Sequence, residues 1–152
     1  MKKILLSAIL MYFINISLAQ TNNALPTGVQ VTPEGIITPV IVSNKFNMDY
    51  PNNNAIWQKE GDNYAAEFTD ESTNTKYFIV YDEDGNLVRK DKEIDNTAYP
   101  KGIATYYSKN YPDENYVVWL SEDNKGNKTY YTKRKLTTIC FDKNGRYVAV
   151  KK

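Results

Sequence analysis

The chain contains no histidine. That removes the usual general base at neutral pH, the Ser-His and Cys-His nucleophilic systems, and most zinc and copper sites. Cys140 is the one cysteine, so no internal disulfide can form. Small exported domains often need disulfides, so a protein of this kind must rest on its core. Cys140 falls in a strand-like run beside a turn and reads as a small buried hydrophobe rather than a reactive thiol. No run approaches the ~18 apolar residues of a membrane helix. A basic excess is missing too. With 19 Lys+Arg against 18 Asp+Glu in 152 residues, a nucleic-acid binder is disfavoured. No cofactor is implied.

What is present begins with an export signal. Lys2-Lys3 form a positive start and Ile4 to Ile14 an apolar stretch too short to span a bilayer. Ser17-Leu18-Ala19 then supplies the small residues that signal peptidase reads. Cleavage is expected between Ala19 and Gln20, leaving a soluble periplasmic or secreted chain of net charge −1. No cysteine follows the apolar stretch, so no N-terminal lipid is expected. Residues 20–37, rich in Thr, Asn, Pro and Gly, read as a tether with at most one marginal strand.

The rest of the chain is one motif written twice. Pro39, Val42, Phe46, Tyr50 and Pro51 return 61 residues later as Pro100, Ile103, Tyr107, Tyr111 and Pro112. Tyr81-Asp82-Glu83-Asp84-Gly85 returns 60 residues later as Phe141-Asp142-Lys143-Asn144-Gly145. A period near 60 divides the chain into a first unit, 38–95, and a second, 96–152. Thr38-Pro39 looks like a helix start, a hydroxyl cap before a proline at the first helical position. Val42, Phe46 and Tyr50 form an apolar stripe, and Pro51 stops it. Ile103, Tyr107 and Tyr111 do the same before Pro112, although Gly102 weakens that helix by about 1 kcal/mol relative to alanine.

After each helix the period falls to two. The candidate strands are Ala55–Glu60, Tyr64–Thr69, Lys76–Tyr81 and Leu87–Lys90, then Tyr116–Ser121, Thr129–Arg134, Leu136–Phe141 and Tyr147–Val150. Short Gly, Asn and Asp turns join several of them as antiparallel hairpins. The expected class is α+β, a tandem pseudo-repeat in which each half packs one helix on a roughly four-stranded antiparallel sheet. One sheet face is covered and the other open.

The order Pro-x-x-Val-x-x-x-Phe-x-x-x-Tyr-Pro over 39–51, then Trp57, Tyr64-Ala-Ala-Glu-Phe68 and Tyr81-Asp-Glu-Asp-Gly85, then the repeat, resembles the PepSY-like exported proteins. Their fold is similar to that of the beta-lactamase inhibitor protein. The resemblance spans roughly 39–150. It implies a helix-plus-sheet tandem, export, no established catalysis and, in inhibitor-type members, a protein partner held across the open sheet face. Gly102, in place of an apolar helix residue, and the loop Asp123-Asn-Lys-Gly-Asn-Lys128 depart from the pattern. No motif carries over inhibition of a particular enzyme.

Three groups of residues are candidates for function. Trp57 aligns with Val118, so if both face the core, alternation sends Trp119 to the open face. An exposed Trp would suit a protein-binding surface, and Tyr130 or Tyr131, Tyr147 and Arg134 could join it. The partner would be a protein or peptide of the cell envelope. Asp82 and Asp84 resemble the start of a calcium loop, but Leu87 stands where that loop needs glycine. They are weak candidates for a surface cation, the alternative to protein binding being small-ligand or cation binding. Carboxylate chemistry from Glu67 with Asp82 or Asp84 has no spacing to support it. Charge is also polarised along the chain: residues 47–84 carry net −7 and residues 125–152 net +8. Either the halves attract or the basic half steers an acidic partner.

Overall fold

Prolines open both helices. In the computed structural model, Pro39 (φ −55, ψ 143) precedes α1, Val40–Asp49, and Pro100 (φ −56, ψ 132) precedes α2, Lys101–Asn110. Each helix ends on a tyrosine that has left helical geometry, Tyr50 (φ −132, ψ 63) and Tyr111 (φ −147, ψ 59), whose N–H donates to the Phe46 and Tyr107 carbonyls respectively at 2.8 Å. The following proline then forbids another turn. The structure describes residues 36–151 and the backbone of Gln30 and Val31. The expected signal segment, its cleavage site and most of the tether lie outside the described residues.

Thr38 is not the helix cap. It belongs to β2 (Ile37–Thr38), paired with β1 (Gln30–Val31), and Pro39 takes the cap position without a side-chain bond. The Thr38 hydroxyl is buried with no hydrogen-bond partner among the described residues.

Eight further strands follow: β3 (Ile56–Glu60), β4 (Asn63–Asp70), β5 (Thr75–Tyr81), β6 (Leu87–Glu93), β7 (Trp119–Asp123), β8 (Lys128–Arg134), β9 (Thr137–Phe141) and β10 (Tyr147–Lys151). They form one antiparallel sheet in the order β10-β9-β8-β7-β6-β5-β4-β3. The join is the β6–β7 ladder, from Arg89 opposite Asp123 to Glu93 opposite Trp119. The sheet is therefore continuous. This pairing also explains why β6 runs past Lys90 to Glu93. In contrast, Tyr116–Val118 stays outside β7, because the Val118 N–H donates to the Tyr99 hydroxyl at 3.2 Å rather than to a strand.

Both helices lie on the same face. Under α1, Val42 and Phe46 pack on Trp57, Ala66, Phe68, Ile79 and Tyr81. Under α2, Ile103 and Tyr107 pack on Val118, Ile139 and Phe141. The Tyr107 hydroxyl shares a 2.6 Å hydrogen bond with buried Thr132, so a polar tip inside this core is satisfied.

Gly102 has a packing reason. A Cβ there would stand 2.4 Å from the Gly145 carbonyl oxygen. Gly145, at φ +75, would in turn drive a Cβ to 2.5 Å from Pro100 Cβ. The start of α2 thus rests directly on the β9–β10 turn, backbone against backbone.

Candidate functional site

Strand alternation assigns the face away from the helices. Ala65, Phe78 and Val80 from β4 and β5 form a second apolar cluster there with Trp119 of β7. Arg89 and Asp91 of β6 lie beside them, since Arg89 opposes Val80 and Asp91 opposes both Phe78 and Ser121. Tyr131 opposes Trp119 on β8, and the two rings stack at 6.1 Å and 7°.

At the centre is a buried carboxylate. Asp91 is 0% exposed. Arg89 Nε donates to both of its oxygens at 3.0 Å, and the Tyr131 hydroxyl donates to Oδ2 at 3.1 Å. A second Arg89 nitrogen donates to Glu60 at 3.0 Å. Three strand spacings of ~4.8 Å separate β3 from β6. The two long side chains close that gap across Ala65 and Val80, whose small size leaves room for them. Burial opposes the charge on Arg89, but Asp91 and Glu60 outweigh it and hold the guanidinium above its ordinary pKa. Burial, then the negative Asp91, pushes the Tyr131 phenol well above the usual tyrosine range. At neutral pH Arg89 is therefore charged and Tyr131 keeps its proton as a hydrogen-bond donor.

Lys133 covers what remains. Its Nζ stands 5.4 Å from the Phe78 ring centre and 5.3 Å from that of Trp119. Around this roof runs a groove of about 660 Å³ that reaches from Glu60 past Arg89, Asp91 and Cys140 to the edge strand β10. Cys140 is half-buried there. It faces the groove, whereas Ile139 and Phe141 point to the helix side.

The predicted binding residues do not come together. Trp119 is on the open face but only 8% exposed, roofed by Tyr131 and Lys133. Tyr130 is on the helix side against the α2 core. Tyr147 stacks on Tyr106 of α2 at 5.0 Å and 6°. Arg134 makes a two-pronged ion pair with Glu114, both contacts 2.6 Å, over the Tyr111 ring. Residues 130, 132 and 134 share a face, and Thr132 commits that face to Tyr107. Thr129, Tyr131 and Lys133 are the β8 side chains on the groove side. Arg89 and Asp91 were missed. A signal was available: opposite charges at i and i+2 of a predicted strand share a face. The unbroken apolar run Tyr77–Tyr81 likewise marks a strand buried on both faces.

Asp82 serves its own turn. Its Oδ1 accepts from the Asp84 and Asn86 N–H groups, and its Oδ2 from the Asn86 amide at 2.9 Å. Asp123 makes the same bonds with Lys125 and Asn127. No group of three or more Asp, Glu or Cys residues gathers as a metal site among the described residues. The Asn86 side chain holds Asp82 below the ordinary carboxylate pKa, and Asn127 does so for Asp123. Depressed folded-state values add stability above the unfolded pKa of about 4, and that contribution is lost as pH falls through the folded values. Thermal melts from pH 6 to pH 2 should thus show Asp82→Asn with Asp123→Asn flattening part of the acid decline. An unchanged profile would deny these turns any role.

No known protein family matches the sequence, and no curated protein does. Solved structures do resemble the fold. A provisionally periplasmic protein of Bacteroides eggerthii superposes with a TM-score of 0.61 at 14% identity, over 75% of this chain and 88% of that one. A DUF2874 family protein of Bacteroides uniformis gives 0.59 at 15%, over 74% and 88%. A BLIP-like protein of Bacteroides fragilis gives 0.54 at 16%, over 78% and 89%. At these identities the likeness establishes the fold: an α+β, BLIP-like arrangement of two helices on an eight-stranded antiparallel sheet. No helix among the described residues is long and apolar enough to cross a membrane.

Proposed function

We infer that this is an exported, non-catalytic module that binds a protein or peptide across the open sheet face. One observation carries the reading: the face away from the helices holds a preformed groove over a rigid floor of Phe78, Trp119, Tyr131 and the Arg89–Asp91 pair. Such a floor binds without reorganising, which lowers the entropic cost of association. Export with cleavage before Gln20 is supported by the Lys2-Lys3 start and by the periplasmic description of one structural neighbour. The PepSY-like reading and the division into 38–95 and 96–152 rest on the 61-residue spacing and on the matching dihedrals of Pro39 and Pro100. The absence of histidine supports a non-catalytic role.

The test is capture from a native envelope extract. Thr129 is exposed, lies on the groove side opposite Ser121, and touches no core. Thr129→Arg should abolish retention of a partner that the wild type holds, while Ser108→Arg on α2 should leave it intact. Retention by both variants would remove the open face from the binding surface. A small ligand is the second reading, favoured by the groove's volume, and a thermal-shift screen that finds a stabilising compound would support it.

A further inference from the structure

We propose that the middle of the groove, above β7, β8 and β9, is a subsite for a neutral polyhydroxylated ligand, a sugar unit of a glycan. The inference rests on the small-ligand reading above and names the ligand's chemical class.

The argument starts from a hydroxyl with nothing to bond. Ser121 of β7 is only 9% exposed and lines the groove, yet its Oγ makes no hydrogen bond among the described residues. A polar group so nearly enclosed ordinarily has a partner. Register places matching chemistry beside it. Thr129 opposes Ser121 on β8, and its hydroxyl is likewise unbonded among the described residues. Tyr130 opposes Phe141, so one residue further on Asp142 comes alongside Thr129. Asp142 accepts the Asn144 and Arg146 N–H groups on Oδ1, at 2.9 and 2.8 Å, which leaves Oδ2 unused. Neighbouring strands lie ~4.8 Å apart. Ser121, Thr129 and Asp142 therefore form one row of unused oxygens across three strands, a length that a single sugar ring and its hydroxyls can span.

What the row can hold follows from its chemistry. A hydroxyl donates and accepts at once, on the protein and on a sugar alike. An apolar ligand would seal the Ser121 hydroxyl from water without giving it a partner, and so would lose affinity. Charge selects nothing. The groove lining holds four carboxylates, Glu60, Asp91, Asp123 and Asp142, against three cations, Arg89, Lys133 and Lys151, a net of −1. A peptide strand gains little at this spot, because β7, β8 and β9 are each paired on both sides. No main-chain donor or acceptor is left there for strand addition. A sugar needs none. Two residues along β8 from Thr129, the Tyr131 ring lies stacked on Trp119. It adds apolar surface against which the carbon-bound hydrogens of a sugar ring can rest.

An array of immobilised neutral oligosaccharides, with uronic-acid and amino-sugar oligosaccharides beside them, tests this on the purified protein. At least one neutral glycan should be retained, with little dependence on salt. Ser121→Ala with Thr129→Val should weaken its binding about fivefold or more, one neutral hydrogen bond being lost at each position. The melting temperature of Ser121→Ala should be unchanged or raised, since no bond within the fold is removed. The same glycan in solution should slow alkylation of Cys140, the one thiol, which faces this groove opposite Tyr131. Retention of charged glycans alone overturns the proposal, as does undiminished binding by the double variant. A lowered melting temperature in Ser121→Ala also overturns it, because the hydroxyl would then be spent inside the fold. Glycan binding that leaves Cys140 alkylation unchanged overturns the location. If the array stays blank while the thermal-shift screen still finds a stabilising compound, the sugar assignment fails and the small-ligand reading stands. If both stay blank, the two fall together.

Discussion

Gly102→Ala is expected to destabilise the protein by about 2 kcal/mol, against the direction of helix propensity. Alanine in an exposed helix interior is ordinarily favoured over glycine by about 1 kcal/mol. Here the new methyl would meet the Gly145 carbonyl at 2.4 Å. The obstacle is backbone in a turn whose Gly145 N–H donates to Asp142 and whose Arg146 carbonyl accepts from the Asp142 N–H. It cannot swing aside as a side chain could, and overpacking against fixed atoms costs about 1–3 kcal/mol. Equilibrium urea unfolding decides the matter. A rise in stability would mean that the helix and turn separate freely. Ala104→Gly, at an exposed site in the same helix, calibrates the propensity term. The first half uses a looser version of this contact, where a Cβ at Gly85 would be 3.3 Å from the Ile41 carbonyl.

The second large effect belongs to the buried ion pair. Arg89→Leu should cost about 3–5 kcal/mol, the usual cost of stranding one member of a buried pair. Asp91 would keep only the Tyr131 hydroxyl as a partner while remaining almost fully enclosed, its side chain 1% exposed. Arg89→Leu with Asp91→Leu should recover much of that loss, because removing both charges also removes their desolvation cost. A double mutant no more stable than Arg89→Leu would show that Asp91 contributes through something other than its charge. The pair is better understood as a device that fixes the groove floor than as a source of stability.

Much of the architecture was legible because local rules dominate it. Proline at both ends of each stripe set the helices, and the Asp-x-x-Gly turns set the hairpins to within a residue or two. What escaped notice depended on contacts distant in sequence. Sheet continuity rests on the β6–β7 ladder, which no periodicity reports. Thr38 looked like a cap only because β1 was invisible as its partner. Alternation sent Trp119 to the open face, where it lies. Its burial depends on Tyr131 and Lys133, one strand over, and on Phe78, 41 residues earlier in the chain. Tyr130 and Tyr131 could not be told apart without a register. Tyr147 follows the α2 side because β10 shifts register between Tyr147 and Ala149.

The continuous sheet also has a consequence for biogenesis. A chain that emerges N-terminus first delivers β6 before β7, with the 25 residues 94–118 between them, roughly a few seconds at ~5–20 residues per second. During that interval β6 is a naked edge. Its last five residues are Arg89-Lys90-Asp91-Lys92-Glu93, every one charged. Such a strand resists pairing with a neighbouring nascent chain. It accepts β7 once that segment arrives, where Lys90 meets Glu122 and Arg89 meets Asp123. The residues that later anchor the groove floor thus first act as the guard on an unfinished protein.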